Sequence, residues 1–129
     1  AIRGVDVRIM LPDRADHILV WLSAYTYYEQ AIPYGVKIFR YQRGFLHQKV
    51  ILIDDRMAAV GTANLDNRSF RLNFEITAFV SDRKFVQQVD EMLESDFEAC
   101  VEVREEEFTD KPFLFRAACR AARLTAPVQ

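Results

Sequence analysis

The sequence has few residues of the kind that fix a fold by covalent or coordinate bonds: two cysteines and two histidines in 129 positions. Cys100 and Cys119 match no metal-ligand or redox spacing and read as free thiols in a reducing compartment. Glycine and proline number four each, too few for a collagen-like or low-complexity chain. No apolar run comes near the roughly 20 residues that a helix needs to span a bilayer. Internal repeats, Gly/Ser linkers and a signal peptide are also missing. Neither sign of charge dominates: 17 Lys and Arg against 19 Asp and Glu give −2 at pH 7. That balance speaks against a chain that holds nucleic acid by bulk charge. The chain opens without an initiator methionine, and Ala1-Ile2-Arg3-Gly4 reads as the tail of a helix cut in mid-course. A domain excised from a longer protein is expected, with an apolar patch beside its first strand or a tendency to self-associate.

What is present is ordinary globular material. Apolar residues make up 50% and charged residues 28%, enough for one domain over 1–129 that buries roughly two-thirds of its unfolded surface. Alternation predicts strands at Val5 to Leu11, Val36 to Tyr41, Leu46 to Asp54, Met57 to Val60 and Phe74 to Val80. Val50-Ile51-Leu52-Ile53 is apolar on both faces, as in a buried central strand. Helical spacing runs from Arg14 to Ile32 with Asp13 as N-cap, and again after Ser81 or Asp82, with Phe85, Val89, Met92, Leu93, Phe97 and Cys100 on one face. Gly61 to Asn73 reads as irregular with one helical turn, and Glu102 to Asp110 as acidic and irregular, with Glu105-Glu106-Glu107 a solvated acidic turn. A last helix covers Phe113 to Leu124, and Thr125-Ala126-Pro127 frays. Strands and helices in this mixture imply an α/β layer fold, one sheet with helices packed on it.

The chemistry concentrates between Phe45 and Val80. On a strand, His47, Lys49, Ile51 and Ile53 share one face, so an imidazole and an ammonium project side by side. Asp54, at an odd offset from His47, points the other way and reads as a supporting residue. The chain returns through Gly61-Thr62-Ala63-Asn64, and Glu75 opens the next strand. Lys49 and Asn64 offer a charge and an amide donor, which suits the non-bridging oxygens of a phosphate. His47 suits a nucleophile or a general acid, and Glu75 suits a carboxylate that holds its Nδ1–H. Residues 30–53 contain Lys37, Arg40, Arg43 and Lys49 and no carboxylate, a basic island fit for an anionic substrate.

His47-x-Lys49, then Asp54, then Gly61-Thr62-x-Asn64, resembles the HKD motif of the phospholipase D superfamily. The continuation Asn64-Leu65-Asp66-x-Arg68-Ser69-Phe70-x-Leu72-Asn73-Phe74-Glu75, with Gly44-Phe45-Leu46 ahead of His47, resembles the C-terminal HKD half of bacterial cardiolipin synthases. Thr62 stands where Ser is frequent, which keeps the hydroxyl. The resemblance covers essentially the whole chain. It implies one HKD half of the phospholipase D fold, a mixed β-sheet flanked by helices and truncated at its N-terminus.

The resemblance also implies metal-free and cofactor-free phosphatidyl transfer through a phosphohistidine, forming cardiolipin from phosphatidylglycerol. Carried over, His47, Lys49 and Glu75 are catalytic. Lys49, Asn64 and Thr62 hold the phosphate, and Asp54 and Gly61 support. In-line displacement needs a second histidine, and His17 lacks the Lys and Asn spacing. The partner is therefore the N-terminal HKD half of a parent chain or a second copy of this domain, and the isolated monomer should be inactive. The parent would lie at the cytoplasmic membrane of a bacterium, acting on phosphatidylglycerol or another anionic phospholipid, with the fragment itself soluble and no nucleic acid bound. Arg116, Arg120 and Arg123 line one face of a basic amphipathic helix over 111–125, a candidate contact with an anionic membrane surface.

Blander readings stand beside these. His17 reads as structural, and Tyr25, Tyr27 and Tyr28 as helix core and rim. Tyr41, Phe45 and Phe70 fit ordinary packing as well as a groove beside the site. A zinc site from His47, Asp54 and Glu75 is disfavoured because alternation separates them. Two other functions remain in view: a homodimeric HKD phosphodiesterase acting on nucleic acid, and a non-catalytic lipid-binding remnant. The pI near 5.7 disfavours the first, and an intact motif disfavours the second.

Overall fold

A computed structural model describes residues 1–14 and 17–125. They form two units, one built from Ala1–Leu46 and the chain from Cys100 onward, the other from His47–Ala99. In the first unit, β1 (Val7–Pro12) pairs in parallel with β2 (Val36–Tyr41), from Val7 opposite Val36 to Pro12 opposite Tyr41. A parallel pair needs a crossover, which α1 (Ile18–Ala31) supplies. Pro33 and Gly35 then stop the helix, Gly35 at φ +87°, where a side chain would be strained.

The second unit begins with a hairpin of β3 (Val50–Ile53) and β4 (Met57–Gly61), joined through Asp54 at φ +50°. After α2 (Asn67–Arg71), β5 (Thr77–Val80) pairs antiparallel with β4, giving the order β3-β4-β5. The helix α3 (Arg83–Phe97) follows, its first turn capped by Asp82, which accepts from Phe85 N at 2.9 Å. The chain then rejoins the first unit through β6 (Cys100–Glu102), antiparallel to β2, and ends in α4 (Phe113–Arg123).

The core of the first unit is aromatic. Trp21 and Phe115 stand edge-on to Tyr25, with ring centroids 5.1 and 5.2 Å away, above Tyr28, Ile38, Val103, Phe108 and Cys119. The second unit packs Val86 and Val89 of α3 on Val50, Leu52 and Ala58. Each such side chain removed from water contributes about 1.5–3 kcal/mol. Residues opposite one another across the strands share a face. The other face therefore carries Ile51, Ala59 and Phe79, and there Ile51 and Phe79 remain 59% and 64% exposed.

The architecture is α/β, with two small sheets flanked by helices, and several expectations need correction. One continuous sheet was expected; two of three strands are found, because residues 42–49 carry no regular strand and Gly44 turns at φ +132°. The run Val50–Ile53 is an edge strand rather than a buried central one, and β4 takes the middle place. Asp13 does not cap α1: its backbone N–H reaches Tyr41 O and its carboxylate faces Arg40, leaving His17 at the N-cap. Glu107 is not a solvated residue, since its carboxylate lies 2.7 Å from Arg40 Nη1. On α4, Arg123 turns inward over the Tyr27 ring, centroid 4.0 Å away, and donates to Thr26 and Gln30. Arg116 likewise lies over Phe108, so of the three arginines Arg120 is the exposed one. Ile2, Val5 and Tyr34 are exposed beside β1, around a shallow apolar depression. Ala15 and Asp16 of the expected first helix, and Ala126 and Pro127 of the expected frayed end, lie outside the described residues.

Candidate active site

The HKD residues all fall in the second unit. Lys49 lies one residue before β3, yet Gly61 N still donates to its carbonyl at 3.0 Å, so the ladder reaches it. Its ammonium turns back on His47, 3.1 Å from Nδ1 and 2.9 Å from the carbonyl oxygen. An ammonium only donates, so Nδ1 accepts here and the ring proton of a neutral His47 sits on Nε2. Both side chains are solvent-accessible.

The strand-to-loop crossing after β4 is tight. A methyl group on Gly61 would meet Ile76 O and lie 2.5 Å from Thr77 Oγ1 and 2.8 Å from its Cα, so only glycine fits. Thr62 follows, its N–H donating to Ile76 O at 2.9 Å while its hydroxyl accepts from Ile76 N at 3.0 Å. With that amide on its lone pair, the Thr62 hydroxyl gives its proton to Glu75 Oε2, 2.5 Å away. Asn73 Nδ2 donates to the other oxygen at 3.1 Å, and Arg68 Nε fixes the Asn73 amide by donating to its Oδ1 at 3.2 Å. These hydrogen bonds, from Thr62 first and then Asn73 and Ser69, hold the Glu75 carboxyl below its ordinary range, with a smaller contribution from the charge of Lys49. Asn64 lies between Thr62 and α2; its backbone N–H donates to Ser69 Oγ at 3.1 Å and its side chain is exposed.

This unit therefore contains a cation beside an imidazole, and a carboxylate clamped by hydroxyl and amide donors. Among the described residues no group of His, Cys, Asp and Glu is placed to hold a metal ion. The model of the cardiolipin synthase PLD-like domain matches residues 1–110. The chain belongs to that family. It is 50% identical over 127 residues to cardiolipin synthase A of Pseudomonas entomophila strain L48 and of Pseudomonas putida strain GB-1, and 46% identical to that of Pseudomonas fluorescens strain SBW25. Each alignment covers 98% of this chain and 26% of the relative, so the chain spans about a quarter of the length of these curated relatives.

Within this cardiolipin synthase domain, the seven residues singled out in the sequence fall into two contacting pairs and three that lie outside those pairs, Asp54, Gly61 and Asn64. Thr62 and Glu75 meet directly, and His47 and Lys49 meet directly. Asp54 stands apart, in the hairpin turn at the other end of β3 from Lys49. The ring nitrogen expected to face Glu75 faces Lys49 instead. The basic island is partly neutralised, since Lys37 pairs with Asp6 at 2.8 Å and Arg40 with Glu107. Tyr41 and Phe45 belong to the first unit, and Phe70 is an exposed residue of α2. Three residues outside the motif positions also order the site: Asn73 donates to Glu75, and Asp66 and Ser69 hold the loop that carries Asn64. A signal for them exists: Asp66-x-x-Ser69 has N-cap spacing, and Asp66 Oδ1 accepts from Ser69 N at 2.7 Å. Asn73 stands two residues before Glu75, the spacing that puts both on one side of an extended chain. Helix α4 lies beyond the segment that the family model matches. Among the described residues no helix is long and apolar enough to cross a membrane.

Proposed function

We propose that this chain supplies one of the two half-sites of a phosphatidyltransferase that makes cardiolipin from phosphatidylglycerol. The observation that carries this reading is the pairing of Lys49 with His47 in the same unit as the clamped Glu75, in a chain of the cardiolipin synthase family. Lys49 and the Asn64 amide take the non-bridging oxygens of the lipid phosphate, as their charge and donor chemistry suit. Thr62 orders the same loop. Once Lys49 turns to the phosphate, His47 Nδ1 is released, and Glu75 is the carboxylate that orients the ring. Gly61 and Asp54 act through the backbone, one at a close crossing and one in a turn.

The reaction proceeds in two displacements. One histidine nitrogen bonds to phosphorus, and the glycerol oxygen of the first phosphatidylglycerol leaves with a proton from the second histidine. The terminal hydroxyl of a second phosphatidylglycerol then returns that proton, attacks phosphorus and breaks the N–P bond. The products are cardiolipin and glycerol. Two histidines on opposite sides of phosphorus are required, and this chain offers one in such a motif. The other comes from an N-terminal HKD half or from a second copy, and a lone monomer is inactive.

The substrate places the site at an anionic membrane surface, the cytoplasmic membrane of a bacterium. Helix α4, in the basic amphipathic segment 111–125, is the proposed contact. With Arg116 and Arg123 turned inward, its exposed residues include Phe113, Leu114, Leu124 and three alanines, with Arg120 as the one exposed arginine of the three.

The test is to mix the chain with a separately expressed N-terminal half on phosphatidylglycerol vesicles. Cardiolipin production that His47→Ala abolishes, with none from the chain alone, supports the proposal. Cleavage of single-stranded DNA by the chain without lipid turnover would overturn it.

A further inference from the structure

Helix α3 meets β3 along one stripe. Val86, Val89, Leu93 and Asp96 recur at spacings of three, four and three, which puts all four on one side of the helix. Val86 and Val89 pack with Val50 and Leu52, and Leu93 lies against the same cluster. Along the strand, Gln48 precedes Val50 and Leu52 at the spacing of two that puts all three on one face, toward the helix. The apolar stripe on α3 thus ends in a carboxylate, and the apolar row on the strand begins with an amide. The two meet: Gln48 Nε2 donates to Asp96 Oδ2 at 2.9 Å, and both residues are half-buried.

The helix gains nothing locally from Asp96. It lies in the last turn of α3, where the partial negative charge of the carbonyl ends disfavours a carboxylate. Gln48, in turn, stands between His47 and Lys49, in a stretch that belongs to no regular strand. The bond from Gly61 N to Lys49 O ties the far end of that stretch to β4. Adjacent side chains of an extended chain point to opposite sides. Holding Gln48 toward α3 therefore sends His47 and Lys49 together to the other side, where they meet at 3.1 Å. A slip of one residue would exchange the two sides.

We propose that Gln48 and Asp96 are positioning residues, whose hydrogen bond locks the HKD strand in register on α3 and so holds His47 and Lys49 side by side. The inference rests on the reading of His47 and Lys49 as site residues. Apolar packing of Val50 and Leu52 is non-directional and tolerates a slip at the strand end. A bond from an amide to a carboxylate is directional and charge-assisted, and a displaced Gln48 gives it up.

The experiment is NMR on this chain without lipid or turnover, so its outcome is separable from failure of the proposed reaction. It follows the backbone order parameters at 47–49 and the ring nitrogens of His47. In the unmutated chain the order parameters are expected at roughly 0.85, and in Asp96→Ala below about 0.6. The His47 ring nitrogens move in Asp96→Ala toward the values of a freely averaging imidazole. Asp96→Asn, whose side-chain oxygen accepts the same bond from Gln48, restores both signals, which a change of charge alone would not do. Gln48→Ala repeats Asp96→Ala, and the double variant adds nothing to either. The amides of residues 50–61 report that the β3–β4 hairpin is intact. Should Asp96→Ala fail to fold, Gln48→Ala carries the test, because it leaves α3 untouched. Unchanged order at 47–49 and an unchanged His47 ring in the alanine variants overturn the proposal. So does an Asp96→Asn chain as loose as Asp96→Ala.

Discussion

The ammonium of Lys49 holds its neighbour two residues back at both ends, 3.1 Å from the Nδ1 of His47 and 2.9 Å from its carbonyl oxygen. A nitrogen that accepts from an ammonium cannot at the same moment donate to a carboxylate. The ring is therefore held in a tautomer opposite to the one that Glu75 would select, and an anion that draws Lys49 away reverses the preference. Nitrogen NMR of labelled His47 is expected to show the Nε2–H form without anion and a shift toward Nδ1–H as inorganic phosphate is added. In Lys49→Met the starting preference disappears. A tautomer indifferent to both changes would contradict this account.

Glu75 gives a pH dependence with a definite sign. Its folded carboxyl lies below the ordinary value, so its contribution to stability is present above the unfolded value and is lost as pH falls through the folded one. Thermal midpoints of the native chain and of Glu75→Gln, measured from neutral pH down through the carboxylate range, should converge on acidification. The difference between the two curves isolates Glu75 from Asp6, which is also lowered, by Lys37 and Arg8. Parallel curves would show that the clamp on the carboxylate does not exist in solution.

Gly61→Ala is expected to cost about 2 kcal/mol or more, because the new methyl meets backbone atoms of Ile76 and Thr77 rather than a side-chain end. Urea denaturation reads the loss. The same substitution separates Thr62 from Glu75, so the acid convergence described for Glu75 should weaken with it. Full stability in this variant would mean that the β4–β5 crossing is looser than drawn.

Two arginines of α4 should behave differently. Arg123→Gln removes a guanidinium over Tyr27 and its bonds to Thr26 and Gln30, and is expected to cost about 1 kcal/mol. Arg120→Gln should leave stability within about 0.5 kcal/mol and weaken salt-sensitive binding to phosphatidylglycerol vesicles instead. Co-sedimentation and thermal melts on the same two variants separate the roles. Equal effects on vesicle binding would remove α4 from the membrane contact.

What could be read from the chain alone was what local pattern decides. Strand β2 lies where alternation put it, and α3 follows its apolar stripe from the Asp82 cap. The motif residues were legible because their spacing is a property of one continuous segment. What escaped was decided by partners distant in sequence. Asp13 would cap a helix, but Arg40 and Tyr41 engage it first. The arginines of α4 look solvent-facing until Tyr27 and Phe108 are placed beneath two of them. Asn73 is an unremarkable polar residue until its amide meets the Glu75 carboxylate, and Ser69 until the Asn64 amide meets its hydroxyl. The difference between a central and an edge strand, for Val50–Ile53, is a matter of strand order and leaves no trace in apolar content.

That strand order has a practical consequence. Ile51 and Phe79 stand in water on one face of the β3-β4-β5 sheet, and β3 and β5 each present a free margin of backbone donors and acceptors within it. Such margins recruit further strands, and bare aliphatic and aromatic rings recruit one another. Purified on its own, the polypeptide should therefore be limited by concentration before it is limited by temperature. It should light up hydrophobic dyes while still folded and form turbid solutions on storage at high loading. A single lysine in place of Phe79, on the margin strand, would be the first change to make in preparing it for spectroscopy.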